Sequence, residues 1–162
     1  MSQNNPTSAI PAIDGDVRIA IVRAEWNDKI TGALTESARR VFDSYEGASL
    51  TYDVFTVPGA IELTFAASQL IETGQFDAVV VFGCVIRGGT PHFDYVCQSV
   101  TQGVTALNVD CDTPVIFGVL TVDNEQDALD RTSDGPMGDK GAEAAETALK
   151  MVAFRRHVED NI

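Results

Sequence analysis

Short runs of apolar residues alternate along this chain with longer stretches in which apolar residues recur at helical spacing. Arg18 to Val22, Ala78 to Phe82 and Val115 to Leu120 are almost wholly apolar. Such runs are typical of strands that are buried on both faces, so we expect these three strands at the centre of a parallel sheet. Leu50 to Val57 alternates apolar and polar residues, which predicts a strand nearer an edge.

Helical stretches separate the strands. The predicted helical stretches are residues 30–45, 58–73, 93–107, 125–131 and 140–157. This alternation predicts an α/β fold, a flavodoxin-like three-layer sandwich in which a four-stranded parallel sheet carries helices on both faces. Ligands of such sheets bind outside the carboxyl ends of the strands, so we expect the functional residues there.

Length and composition narrow the class of protein. A chain of 162 residues with 44% apolar residues fits one domain, predicted at 16–158 between a flexible N-terminal arm at 1–15 and a tail at 159–162. The 24 acidic and 11 basic residues give a net charge of −13, which argues against nucleic acid and anionic membranes as partners. No apolar run approaches the roughly 20 residues of a membrane helix, and the first 13 residues do not resemble a signal peptide.

The three cysteines form no CxxC pair, and their number is odd. They therefore predict neither a disulfide framework nor a zinc site, and they fit a reducing cytoplasm.

The most informative segment, Val85 to Phe93, follows the third strand and opens a helix. Thr90 suits the N-cap and Pro91 the first helical position. Gly88 and Gly89 would let backbone N–H groups approach a ligand closely, and with the helix dipole they form an anion site suited to phosphate. The alternative is an ordinary capped turn.

His92 falls in the first turn of that helix, at the rim of the expected cleft. An imidazole there could move protons at near-neutral pH, although a lone histidine is more often structural. The only other histidine, His157, lies in a polar tail. Two histidines this far apart make a metal site improbable.

Other strand ends carry further candidate residues. Trp26 could stack on a planar heterocycle, and Glu62 could accept hydrogen bonds from hydroxyl groups. Arg131 and Lys140 flank a Gly-rich loop and could hold a phosphate. Each has a structural alternative: core or interface packing for the tryptophan, a helix-dipole partner for the glutamate, and solvated surface charge for the two cations.

Several of these segments together resemble the 6,7-dimethyl-8-ribityllumazine synthase family. The matching segments are Trp26-Asn27, Gly59-Ala60-Ile61-Glu62, GCVIRGGTPHFDYVC from Gly83 to Cys97, Phe117-Gly118-Val119-Leu120-Thr121, Arg131 and Lys140-Gly141. The resemblance covers roughly Val17 to Phe154. Trp26 replaces a frequent Phe, which preserves stacking, and Leu63-Thr64 replaces a frequent Ile-Pro at the helix start.

The resemblance implies the penultimate step of riboflavin synthesis. In this step a transferase condenses 5-amino-6-(D-ribitylamino)uracil with 3,4-dihydroxy-2-butanone 4-phosphate, releasing phosphate and water without a metal or organic cofactor. His92 matches the family's acid/base histidine, and Trp26 the ring that stacks on the pyrimidine. The remaining matches are Ala60, Ile61 and Glu62 at the ribityl chain, Cys84, Val85 and Ile86 at the pyrimidine edge, Gly89, Thr90 and Arg131 at the phosphate, and Lys140 closing the pocket.

The resemblance also implies self-association into a homopentamer or a larger assembly. In this family the pocket lies between subunits, with Phe117, Arg131 and Lys140 supplied by the neighbour. The loop before Lys140 varies in length among members of this family. Two other classes of function stay open from the sequence: a protein that stores riboflavin or a lumazine without turnover, and a scaffold whose assembly is its function.

Overall fold

The computed structural model describes residues 8–162, which form four strands and five helices. The elements are β1 (Asp16–Ala24), α1 (Asp28–Ser44), β2 (Ser49–Val57), α2 (Glu62–Glu72), β3 (Ala78–Ile86), α3 (His92–Asp110), β4 (Val115–Val122), α4 (Glu125–Leu129) and α5 (Lys140–Asn161). The α/β fold with a four-stranded parallel sheet is confirmed.

The strands lie in the order β2-β1-β3-β4. The edge position predicted for 50–57 is confirmed, but the central position predicted for 115–120 is wrong, because β4 forms the other edge of the sheet. Most side chains of β4 are nevertheless buried. An apolar run indicates that helices cover both faces of a strand, and it carries no information about whether both of its hydrogen-bonding edges are paired.

The helices pack on both faces of the sheet, and alternate residues of each strand supply the two cores. Ile19 and Ile21 of β1 belong to the core beneath α1 and α5, where they join Leu34 and Leu149. Ala20 and Val22 of β1 point to the opposite core, beneath α2 and α3. This arrangement is the predicted three-layer sandwich.

Two helix boundaries differ from the prediction by four residues, and the others differ by three or fewer. Residues 58–61 form a turn rather than the start of α2, and the turn is held by a 3.0 Å hydrogen bond from the Gly59 amide to the Glu62 carboxylate. Helix α5 continues beyond 157 to Asn161, whose side-chain amide donates to the carbonyl of His157 at 2.8 Å. Among the described helices, none has the length and apolar character needed to cross a membrane.

The segment before β1 contacts the domain. Residues 1–7 of the predicted arm lie outside the described residues. Farther along, Ile13 is buried and its amide donates to the carbonyl of Gly47 at 2.9 Å, while the Tyr45 hydroxyl donates to the carbonyl of Pro11 at 2.6 Å. The end of this segment is therefore docked beside the loop between α1 and β2.

A crevice opens between β1 and β3 at their carboxyl ends. The pairing of β1 with β3 stops at Arg23 and Phe82, whereas β3 and β4 remain paired as far as Ile86 and Val122. The last four residues of β3 consequently have no β1 neighbour. The strand order reverses at this point, which is where open α/β sheets bind ligands.

Helices α1 and α5 approach so closely at Gly141 that a side chain there would meet the backbone of Leu34. A β-carbon on Gly141 would lie 2.8 Å from Cα of Leu34, so we expect Gly141→Ala to force the helices apart and destabilise the protein by about 1–3 kcal/mol. Gly32 of α1 is the matched control, because a β-carbon there meets only the Arg23 guanidinium, at 3.5 Å. Gly32→Ala should stabilise slightly through helix propensity. Urea denaturation at one protein concentration measures both variants, and equal midpoints would contradict the close approach.

Candidate active site

One cavity of about 390 Å³ lies in the crevice between β1 and β3. Its lining residues are Trp26, Asn27, Ala60, Ile61, Glu62, Cys84, Val85, Ile86, His92 and Val96. The cavity thus brings together the turns that follow β1 and β2, the end of β3 and the first turn of α3.

The turn between β1 and α1 places Trp26 at the cavity. The Trp26 amide donates to the carbonyl of Pro58 at 3.0 Å, and the indole is 67% exposed. A β-carbon on Gly59 would lie 2.6 Å from Cζ3 of the indole, so only glycine lets the next turn approach the ring this closely. An exposed aromatic face at a cavity is suited to stacking on a planar heterocycle.

Asn27 holds this turn in place. Its backbone is left-handed, with φ 59° and ψ 45°, a conformation that asparagine tolerates better than most residues. Its side-chain amide donates to the carbonyl of Cys84 at 2.8 Å. This hydrogen bond joins the turn after β1 to the end of β3, beyond the last paired residues of the two strands.

The turn at 60–62 brings a carboxylate to the cavity. Glu62 begins α2, and one of its carboxylate oxygens accepts from the Gly59 amide. A carboxylate can accept further hydrogen bonds at its remaining lone pairs. Glu62 can therefore accept hydrogen bonds from hydroxyl groups of a ligand.

Cys84 contributes an uncharged wall to the cavity. Burial, with a smaller effect from the negative charge of Glu125, raises the pKa of the Cys84 thiol to about 11. The thiol therefore stays protonated at neutral pH. A protonated buried thiol is a poor nucleophile, so Cys84 is not suited to covalent catalysis.

The turn before α3 is exposed and glycine-rich. A β-carbon on Gly88 or Gly89 would have no neighbour within 4 Å, and within residues 8–162 no atom accepts a hydrogen bond from either amide. Thr90 Oγ1 accepts from the His92 amide at 3.4 Å. The helix begins at His92, so Pro91, predicted as the first helical position, is instead the N-cap. Free backbone N–H groups ahead of a 19-residue helix can bind an anion.

Besides Gly89 and Thr90 of the exposed turn before α3, three predicted site residues do not line this cavity. Phe117 and Lys140 line a different cavity of about 250 Å³, in which the buried Lys140 ammonium lies 2.8 Å from the Glu143 carboxylate. The Arg131 guanidinium donates to the carbonyl of Asp127 at 2.6 Å. Within one chain these three residues are not assembled with Trp26 and His92.

Two lining residues were not predicted as site residues. Val96 lies four positions after His92, so both side chains fall on the same face of α3, and this spacing could have indicated it. Asn27 stands next to Trp26 at a strand end, but its partner carbonyl is 57 residues away. No local pattern indicates that contact.

The sheet, the crevice and its polar turns define a flavodoxin-like α/β protein with a cavity of small-molecule size at the carboxyl ends of its strands. The sequence model described as 6,7-dimethyl-8-ribityllumazine synthase matches residues 16–156. The 6,7-dimethyl-8-ribityllumazine synthase of Parabacteroides distasonis is 52% identical over 139 residues, covering 86% of each chain. The enzyme of the same name from Phocaeicola vulgatus is 46% identical over 144 residues, covering 89% of this chain and 85% of its own. A third, from Porphyromonas gingivalis, is 50% identical over 141 residues, covering 87% of each chain.

The chain belongs to the 6,7-dimethyl-8-ribityllumazine synthase family. It is an enzyme, a transferase of riboflavin biosynthesis that acts on small molecules. The family resemblance inferred from its motifs is confirmed.

Asn27 has two separable roles: it adopts the left-handed backbone of the turn, and its side chain bonds to Cys84. Asn27→Ala and Asn27→Gly both remove the bond to Cys84, but only alanine is strained by the left-handed backbone. We expect the alanine variant to be less stable than the glycine variant by roughly 1 kcal/mol, as measured by urea denaturation. Lumazine formation should fall in both variants. An alanine variant as stable as the glycine variant would show that backbone strain does not select asparagine here.

Proposed function

We propose that the crevice cavity binds 5-amino-6-(D-ribitylamino)uracil. The main support is that one cavity is lined by an exposed indole, a carboxylate and a histidine, namely Trp26, Glu62 and His92. The indole stacks on the pyrimidine, and the end of β3, Cys84 to Ile86, contacts the pyrimidine edge. The turn from Ala60 to Glu62 accepts hydrogen bonds from the ribityl hydroxyl groups.

The phosphate of 3,4-dihydroxy-2-butanone 4-phosphate binds at the turn before α3. Free N–H groups near Gly89, the Thr90 hydroxyl and the positive end of the α3 dipole support this assignment. Arg131 completes the phosphate site from a neighbouring subunit. A protein that only stored riboflavin or a lumazine, neither of which carries a phosphate, would have no use for this phosphate turn, so the enzyme is favoured over the storage alternative.

His92 moves protons during the condensation. The amine of the pyrimidine attacks the ketone, and loss of water gives an imine. Phosphate then leaves, and ring closure with loss of further water gives the lumazine. A positioned imidazole accepts and returns the protons of these steps, and the two bound substrates react without a covalent enzyme intermediate or a metal or organic cofactor. The protonated thiol of Cys84 agrees with this assignment.

The complete site requires two subunits of a homopentamer or larger assembly. Phe117 and Lys140 line a cavity of their own at the β4 edge, apart from Trp26 and His92, as expected of residues that complete a neighbour's site. Phe65 and Tyr95 of α2 and α3 are 71% and 69% exposed. Large exposed apolar side chains near a site mark a surface that another chain covers.

The enzyme works in the cytoplasm on this proposal. Its three cysteines are all free, as suits a reducing compartment.

Replacing His92 tests its role in proton transfer. We expect His92→Ala to lower the rate of lumazine formation roughly 100-fold, the usual contribution of a general acid or base. Binding of the pyrimidine substrate alone should change little. His157→Ala, at an exposed position on α5, is the matched control and should retain full activity. Loss of assembly on sedimentation of the His92 variant would instead indicate a structural role, and wild-type turnover no faster than the protein-free reaction would contradict the proposed function.

Mixed assemblies test the shared site. His92→Ala and Lys140→Ala disable opposite halves of the proposed pocket. When the two inactive variants are unfolded, mixed in equal amounts and reassembled, random neighbours should give about one quarter of sites with both halves intact. The rate of lumazine formation should recover to roughly one quarter of the wild-type rate, well above the rate of each variant reassembled alone. Mixed assemblies without recovered activity would mean that both residues act from the same chain.

A further inference from the structure

The first turn of α3, which carries His92, receives little support from the core. Residues 87–92 are all exposed, and the first fully buried residue of the helix is Val100, two turns later. Pro91 precedes the helix without a side-chain cap, and the contact from Thr90 lies within the turn itself. Something other than core packing must orient this turn relative to the sheet.

Arg87, directly after β3, contacts this turn and the end of β4 at once. Its Nε donates to Asp123 at 2.8 Å, and its terminal nitrogen lies 3.6 Å from the Asp94 carboxylate. Its guanidinium lies 4.3 Å from the ring centroid of Phe93, within the range of a cation–π contact. The Arg87 amide also donates to the carbonyl of Val122 at 2.9 Å, which extends the pairing of β3 with β4 by one residue.

In the part of the chain that the structure describes, Arg87 is the one side chain that joins the first turn of α3 to another element through an ion pair or hydrogen bond. Phe93 and Asp94 follow His92 directly, so a contact that holds them also sets the direction of the imidazole. We propose that Arg87 is a positioning residue: together with Asp123 it holds the His92 turn against the end of β4. This inference rests on the proposed function of His92.

Stability alone does not account for this arrangement. The side chains of Arg87, Asp94 and Asp123 are 50%, 57% and 71% exposed, and ion pairs at this exposure contribute little to stability. Orientation is more sensitive, because a misplacement of about 1 Å can cost roughly 100-fold in rate. An arginine suits the role better than a lysine, since its planar group donates to a carboxylate and stacks on a ring at the same time.

The test compares steady-state lumazine formation by Arg87→Gln, Arg87→Lys, Asp123→Ala and the double variant Arg87→Gln with Asp123→Ala. We expect Arg87→Gln to lower kcat about tenfold while KM for each substrate stays within about twofold, because binding contacts are retained. Arg87→Lys should recover part of the loss. The double variant should be no slower than Arg87→Gln, because both changes break one contact. The matched control is Arg155→Gln, which breaks an ion pair of 2.9 Å on α5 and should behave as wild type.

Three kinetic results would overturn the proposal. The kcat of Arg87→Gln could equal that of Arg155→Gln. Alternatively, its fold-loss of kcat could multiply with that of Asp123→Ala in the double variant. A raised KM for the butanone phosphate with unchanged kcat would make Arg87 a direct ligand of the phosphate.

A second readout does not depend on turnover. The chain has only two histidines, so histidine-labelled protein gives NMR signals for His92 and, as an internal control, His157. Arg87→Gln should shift the His92 signal and leave the His157 signal in place. An unchanged His92 signal would refute the positioning role even if the enzyme were active. Wild-type protein that forms no lumazine would refute the proposed function alone.

Discussion

The parallel pairing of β1 with β3 is the constraint on which the site depends. Both strands end at the same edge of the sheet, and the chain leaves them toward opposite faces, since α1 packs on one face and α3 on the other. The two connections therefore diverge and leave a space between the strand ends. Because β3 runs past the last residue paired with β1, its final carbonyls and side chains line that space. The cavity is a consequence of strand order before it is a consequence of any particular side chain.

Close contacts convert this crevice into a defined site. The Asn27 amide reaches across to Cys84, Gly59 lies against the Trp26 indole, and Glu62 accepts from the Gly59 amide. These contacts tie together segments that follow different strands. The aromatic and the carboxylate are thereby held by neighbouring turns, and on the proposed function such a preorganised arrangement lowers the entropic cost of bringing two substrates together.

On the proposed function, the acidic chain must attract the phosphate of a substrate through groups that lie close to it. A chain of net charge −13 repels anions at long range, so attraction must come from groups at short range, where screening and distance matter less. In the proposed site, backbone amides near Gly89 and the α3 dipole supply part of this attraction without any cationic side chain. The guanidinium of Arg87, two residues away along the chain, is already engaged by Asp123 and Asp94, which also raise its pKa. On the proposed assembly a neighbour's Arg131 adds the remaining charge, which makes oligomerisation part of phosphate binding.

The amino-acid pattern alone predicts where the strands fall along the chain, the α/β class and the segments that reach the cavity. Apolar runs report burial of both faces, and specific blocks such as 83–97 identify the family, so the amino-acid pattern was sufficient to propose Trp26, Glu62 and His92 as site residues. Three features follow only from the folded arrangement: β4 is an edge strand, Asn27 bonds to Cys84, and Phe117 and Lys140 lie apart from His92 within one chain. The reason is physical: a side-chain pattern records how deeply a residue is buried, whereas strand neighbours and the partner of a distant carbonyl depend on which segments meet in space.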